Sequence, residues 1–169
     1  PISPTRALYR VPVLWSKFGP RATSFPARVG GPGPGADLPL SYPATLGPAD
    51  PAFQVVSGFL KAYLTAEGGV ERYATSTSML TGLGVAYLSV SVTAVRAGQA
   101  PATAPAEGET TRVVAFVDAT TSQYAPTQLV YPMTLVGVGG KWSVANLAQA
   151  PAVAADAALV PVVTRTGSH

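Results

Sequence analysis

Asp118 and Tyr63 are the side chains of this sequence with the types and settings for acid–base chemistry. A carboxylate base and a tyrosine donor facing an apolar cavity are what isomerases and dehydratases built on a helix and a curved sheet require. The acids are Asp37, Asp50, Glu67, Glu71, Glu107, Glu109, Asp118 and Asp156. All but Asp118 fall in segments that read as linkers, turns, helix ends or an exposed helix. Asp118 falls inside an expected strand, on one face with Arg112, Val114, Phe116 and Thr120. The competing reading is a solvated carboxylate, or one paired with an arginine, because carboxylates are rarely buried without a partner.

The rest of the inventory removes whole classes of chemistry. There is no cysteine, which excludes disulfides, thiolate nucleophiles, zinc–thiolate sites and iron–sulfur clusters. The one histidine is His169, and Thr166-Gly167-Ser168-His169 reads as the start of a cloning linker and tag. Oxygen ligands remain, but no Asp-rich calcium loop is present. Gly30 to Gly35 is interrupted by prolines and lacks the strand–glycine–helix setting of a phosphate loop. No catalytic, cofactor-binding or metal-ligating residue is therefore expected. The alternative stays open of a small-molecule-binding or isomerase-like cone using Asp118 and Tyr63.

Charged residues are 11% of 169, and Gly and Pro number 17 each. With 47% hydrophobic residues the chain can build a core, so disorder throughout is excluded. The net charge of +3 is too small to argue for nucleic acid by itself. It is unevenly spread. Residues 1–30 hold Arg6, Arg10, Lys17, Arg21 and Arg28 and no acid, interleaved with Tyr9, Trp15, Phe18 and Phe25. Such a stretch fits a nucleic-acid patch, attraction to an anionic cell envelope, or charged guards on edge strands; direct nucleic-acid binding is not expected at so low a charge density. No run approaches the ~18 apolar residues that span a bilayer.

These residues must be positioned by few elements. Ala7 to Trp15 and Ala22 to Val29 read as a hairpin around Phe18-Gly19-Pro20, with Tyr9, Val11, Val13 and Trp15 on one side and both strands held to edge positions by Pro12 and Pro26. Residues 31–49 read as a Pro/Gly-rich linker unable to contribute to a core. Asp50-Pro51 opens a helix, with the Asp side chain expected to cap it. Phe53, Val56, Leu60, Tyr63 and Leu64, with Phe59 alongside, form its apolar face, and Gly68-Gly69 is expected to end it. Val70 to Thr75 reads as a short second helix. Strands are expected at Val85–Val95, Thr111–Thr121, Gln128–Val138 and Trp142–Leu147, with Gly139-Gly140 as a tight hairpin turn. The first has Tyr87, Ser89, Ser91 and Thr93 on a polar face and Ala86, Leu88, Val90 and Val92 on an apolar one. Helices followed by consecutive strands predict an α+β fold, with residues 50–150 as the domain and 151–165 as an Ala/Val tail.

The run Leu40-Ser41-Tyr42-Pro43-Ala44-Thr45-Leu46, the helix Phe53 to Leu64, Arg72-Tyr73-Ala74 and the closing Gly139-Gly140-Lys141-Trp142-Ser143-Val144 resemble the C-terminal domain of TcpC-type conjugative transposon proteins. The likeness covers roughly residues 38–150, and residues 1–30 resemble the last hairpin of a preceding domain, with Pro1 in place of an initiator Met. It implies a nuclear-transport-factor-2-like (cystatin-like) cone with N-terminal helices on a curved sheet, similar to the bitopic scaffold subunit of type IV secretion systems. It also implies no catalytic residues, homo-oligomers that are often trimers, contacts with other conjugation-machinery proteins, and an extracytoplasmic position. The single membrane anchor would lie outside this segment. The tail residues Val153, Leu159, Val160, Val162 and Val163 and the proline-rich arm are the expected interface elements.

Overall fold

The computed structural model describes residues 7–30, 36–84, 86–154 and 160–161. Arg6, the run 31–35, Val85, and the tail and terminal residues 155–159 and 162–169 lie outside them. The chain divides into two compact units, Pro1–Leu38 with Ala158–His169, and Pro39–Ala157.

In the smaller unit the expected hairpin is present but cut in two. β1 (Leu8–Arg10), β2 (Val13–Ser16), β3 (Gly19–Ala22) and β4 (Ala27–Val29) form two antiparallel ladders, β1 with β4 and β2 with β3. The breaks fall at Val11-Pro12 and at residues 23–26, where proline cannot donate to a ladder. Thr23 bridges the gap by donating its N–H to the Pro12 carbonyl at 3.0 Å. The turn is Lys17-Phe18, one residue earlier than expected, with Gly19 at φ +100° closing it. Because the ladder is interrupted, Tyr9 sits opposite Arg28 and Trp15 opposite Pro20, so no single apolar side runs the length of the arm.

The larger unit is built on one helix and a five-stranded antiparallel sheet. After β5 (Ala36–Asp37) come β6 (Ala44–Leu46), α1 (Pro51–Leu64), a 3₁₀ turn (Val70–Arg72), β7 (Tyr87–Ala97), β8 (Thr110–Thr121), β9 (Pro126–Val138) and β10 (Lys141–Leu147), in sheet order β10-β9-β8-β7-β6. The last strand, β11 (Val160–Pro161), pairs with β5 in the smaller unit. The expectation of several helices is corrected. The segment after α1 makes one 3₁₀ turn and then runs along β10, with Thr75 donating to the Val144 carbonyl and Val144 to that of Tyr73.

α1 begins at Pro51, but Asp50 makes no side-chain cap; its carbonyl accepts the Gln54 N–H instead. The helix also stops before the glycines. Thr65 turns extended and its hydroxyl donates to the Lys61 carbonyl at 2.7 Å. Val56, Phe59, Leu60 and Leu64 are fully buried against Val95 of β7, Val113, Ala115 and Val117 of β8, Met133 and Leu135 of β9, and Trp142 and Val144 of β10. Burying a side chain of this size stabilises by roughly 1.5–3 kcal/mol, so this interlayer dominates the fold.

β7 departs from the expected alternation because it carries two bulges, at Leu88 and Thr93, each an extra residue in the ladder with β8. The first brings Tyr87 onto the core side with Val90 and Val92 and leaves Leu88 47% exposed. The second restores the phase that buries Val95 and Ala97. In β9, Pro132 is tolerated for a similar local reason. Its carbonyl accepts the Ala148 N–H at 2.8 Å, so its missing donor faces the β10 side, where pairing has already ended at Leu147–Met133.

The reading of residues 31–49 as unable to join a core is also corrected. β6 pairs with β7, and both Tyr42 and Leu46 are buried. Three residues flanked by Pro43 and Pro48 suffice for an edge strand, which has one side free of ladder bonds.

Candidate functional site

The structure does not bring Asp118 and Tyr63 together. Strand alternation turns Val113, Ala115, Val117 and Ala119 of β8 inward, all buried, and Asp118 outward to solvent. Asp118 sits opposite Ser91 on β7 and Gln128 on β9, and its Oδ1 accepts from Gln128 Nε2 at 3.2 Å. Tyr63 lies on α1 and stacks on Phe59, centroids 5.4 Å apart with planes 13° from parallel. The partner of Asp118 is thus an amide, and the carboxylate is on the sheet face away from the helix.

Between helix and sheet the space is taken by side chains. Tyr63, Tyr87 and Tyr131 are half-buried and pack on the buried core, with Tyr63 and Tyr87 near enough to Tyr131 to act on its hydroxyl. Burial pushes the Tyr131 hydroxyl above its ordinary pKa, and the neighbouring Tyr87 and Tyr63 push it the same way. A tyrosine held neutral can donate or accept a hydrogen bond, but it is a poor base near neutral pH.

The outer face of the sheet is shallowly grooved. One hollow of about 560 Å³ runs along Ser89, Ser91, Asp118, Thr120, Thr127 and Gln128. It adjoins another of about 380 Å³ over Ala94, Arg96, Phe116 and Val130, and both include Asp118 and Gln128. Ser89 donates to the Thr120 hydroxyl at 3.0 Å, and the Arg96 guanidinium lies 5.6 Å above the Phe116 ring. This surface offers hydroxyls, an amide and one carboxylate, of which Ser89 is bonded to Thr120 and Gln128 to Asp118. A third hollow of about 520 Å³ lies between the start of α1 and the β9–β10 turn, beside Gln54, Tyr73, Lys141 and Trp142. Trp142 is fixed in the core by donating Nε1–H to the Ala102 carbonyl at 2.8 Å, as a packing residue should be. Among the described residues no group of three or more His, Asp or Glu could hold a metal ion, and no helix is long and apolar enough to cross a membrane.

Sequence reasoning missed several residues that organise these surfaces. Glu107 accepts the Gly139 N–H at 2.8 Å and so ties the β7–β8 loop to the β9–β10 turn, while Glu109 accepts the Ala106 N–H at 2.9 Å and closes that loop on itself. Tyr73 lays its ring directly on Gly58 of α1. Tyr42 holds the segment after β10. The spacing of Phe and Leu on α1 carries no mark of any of these contacts.

Compared with solved structures, the chain superposes on one described as "Ntf2 like protein involved in plasmid conjugation", with a TM-score of 0.53 and 15% identity. The fold is nuclear-transport-factor-2-like. The match covers 81% of this chain and 54% of the neighbour, so the chain spans about half the length of that protein. No protein-family profile matches the sequence, and no curated protein does. Among the described residues one α-helix covers the sheet of this NTF2-like fold, and the core packed beneath it lies between helix and strands.

Proposed function

We propose that this chain is a non-catalytic assembly subunit of a bacterial conjugative DNA-transfer apparatus, of the TcpC type. It works by protein–protein contacts outside the membrane, as a homo-oligomer and with other transfer proteins, and is held to the membrane by a segment elsewhere in its protein. The observation that supports this reading best is the interior of the cone. Val56, Phe59, Leu60 and Leu64 fill the interlayer, and Asp118 stands on the opposite face of the sheet. An NTF2-like domain used as a scaffold needs surfaces, whereas one used as an enzyme needs a polar group inside its cavity. The description of the structural neighbour as a plasmid conjugation protein supports the same direction.

The test is genetic and physical. Removing the gene from its native host should lower conjugative transfer by orders of magnitude, and Asp118→Asn with Tyr63→Phe should restore transfer as well as the unaltered gene. Crosslinking in the donor cell should recover other transfer proteins. Normal transfer without the gene, or a transfer defect caused by the double substitution alone, sinks the proposal.

A further inference from the structure

We propose that the tip of the N-terminal hairpin is a docking element for an anionic lipid surface. The inference stands on the smaller unit alone and does not depend on the assembly role. The β2–β3 register sorts the tip into two faces: Val13, Trp15, Pro20 and Ala22 share one, and Leu14 and Arg21 share the other. Lys17 and Phe18 form the turn between them, with the Lys17 ammonium 5.0 Å from the Phe18 ring centroid. Trp15 is 77% exposed and Phe18 88%, and Val13 and Leu14 are more than half exposed. Among the described residues nothing forms a second layer over this two-stranded ribbon, whose apolar side chains stand in water.

Charge selects the covering. Residues 7–30 carry Arg10, Lys17, Arg21 and Arg28 and no acid. An acidic protein or a nucleic acid would satisfy these cations equally well. The apolar side chains separate the candidates. Single-stranded nucleic acid rewards aromatic rings by stacking but gains little from the aliphatic Val13 and Leu14. A headgroup interface takes up all four: Phe18 and Trp15, nearest the turn, enter first, Leu14 and Val13 follow behind them, and Lys17 and Arg21 reach lipid phosphates. Each cation close to an anionic leaflet raises partitioning about fivefold, and salt weakens it. The turn supports this geometry. Ser16 Oγ accepts the Phe18 N–H and donates to the Gly19 carbonyl, so these two backbone groups are satisfied locally as the tip nears an apolar layer.

The test uses the full chain with vesicles of phosphatidylcholine alone and of phosphatidylcholine mixed with phosphatidylglycerol, followed by sedimentation and tryptophan fluorescence. Binding should be about tenfold or more stronger to the anionic vesicles and fall at high salt. Brominated acyl chains should quench an emission that Trp15→Phe removes, since the other tryptophan, Trp142, is buried. Lys17→Glu with Arg21→Glu should abolish binding, and Trp15→Ser with Phe18→Ser should weaken it while leaving the circular dichroism of the chain unchanged. Absence of binding at low salt, binding without quenching of Trp15, or displacement from vesicles by single-stranded DNA at equal phosphate concentration would each overturn the proposal.

Discussion

The Tyr42 hydroxyl accepts the backbone N–H of Ala152 at 3.0 Å, joining positions 110 residues apart in the chain. Around this bond the backbone continues the clasp. Ser41 donates to the Ala152 carbonyl at 2.8 Å, Ala154 donates to that of Pro39 at 2.9 Å, and Leu40 bridges Val153. Val153, one of the tail residues expected at an interface, bridges Leu40 through its backbone while remaining 47% exposed.

Tyr42→Phe should therefore loosen both ends of the larger unit at once. Losing one hydrogen bond to a partly buried amide costs about 1–2 kcal/mol. Urea unfolding should show that loss, and hydrogen exchange should speed up at Ser41, Ala152 and Ala154 while β8 and β9 keep their protection. Unchanged exchange at these amides would remove the clasp from the account.

Gly137→Ala should be among the most destabilising single changes in the sheet. A Cβ at Gly137 would collide with the Ala106 carbonyl and lie 2.8 Å from Pro105 Cβ, in the loop held by Glu107 and Glu109. Overpacking against backbone costs about 1–3 kcal/mol or more. At Gly98 the same Cβ would meet carbonyls only at 3.6 and 3.8 Å. Gly98→Ala should therefore lie within about 0.5 kcal/mol of the parent in thermal melts, and a similar loss at both sites would contradict the argument.

Gly58→Ala tests how the 3₁₀ turn is seated. Alanine should stabilise α1 by about 1 kcal/mol on helix propensity alone. The Tyr73 ring occupies the position of the new methyl, with its hydroxyl oxygen 2.8 Å away. The substitution should destabilise the native chain and stabilise a Tyr73→Ala background, a reversal of sign that a double-mutant cycle reads directly.

Stability should fall in alkali through Tyr131. Its folded pKa is raised above the ordinary 10.0, first by burial and then by Tyr87 and Tyr63. The stabilisation is fully present below pH 10, because the unfolded chain loses the proton first, and disappears as pH rises through the folded value. Urea midpoints should hold steady to about pH 9.5 and then decline. Tyr131→Phe should flatten that decline, and an equal decline in the variant would reassign it.

Much of this architecture was legible in residue order. Phe53, Val56, Leu60 and Leu64 announce α1 because one helix covers one sheet face. Thr111–Thr121, Gln128–Val138 and Trp142–Leu147 lie within a few residues of the observed strands. Asp118 lies in the expected strand, on one face with Arg112, Val114, Phe116 and Thr120. Which face turned toward the helix depended on Val113, Val117 and Ala119 packing there, a tertiary choice. The hidden parts share a cause. The bulges at Leu88 and Thr93 change side-chain phase without any Gly or Pro to mark them, and β6 has too few residues to show a period. The arm's ladders break where Pro12 on one side meets residues 23–26 on the other, a pairing of distant segments that no single window reveals.

The strand order β10-β9-β8-β7-β6 has a consequence for how the molecule is made. β7, β8, β9 and β10 each lie beside their sequence neighbour, so they can assemble in turn as the chain leaves the ribosome, β8 on β9 across the four-residue connection of 122–125. Short loops close cheaply, and such local pairing favours early formation. The clasp of Tyr42 on Ala152 must wait for the last of these strands. The growing chain would then expose its long hairpins first and seal its ends last, and pulse-labelled refolding should protect Val117 and Val130 before Ala152 and Ala154.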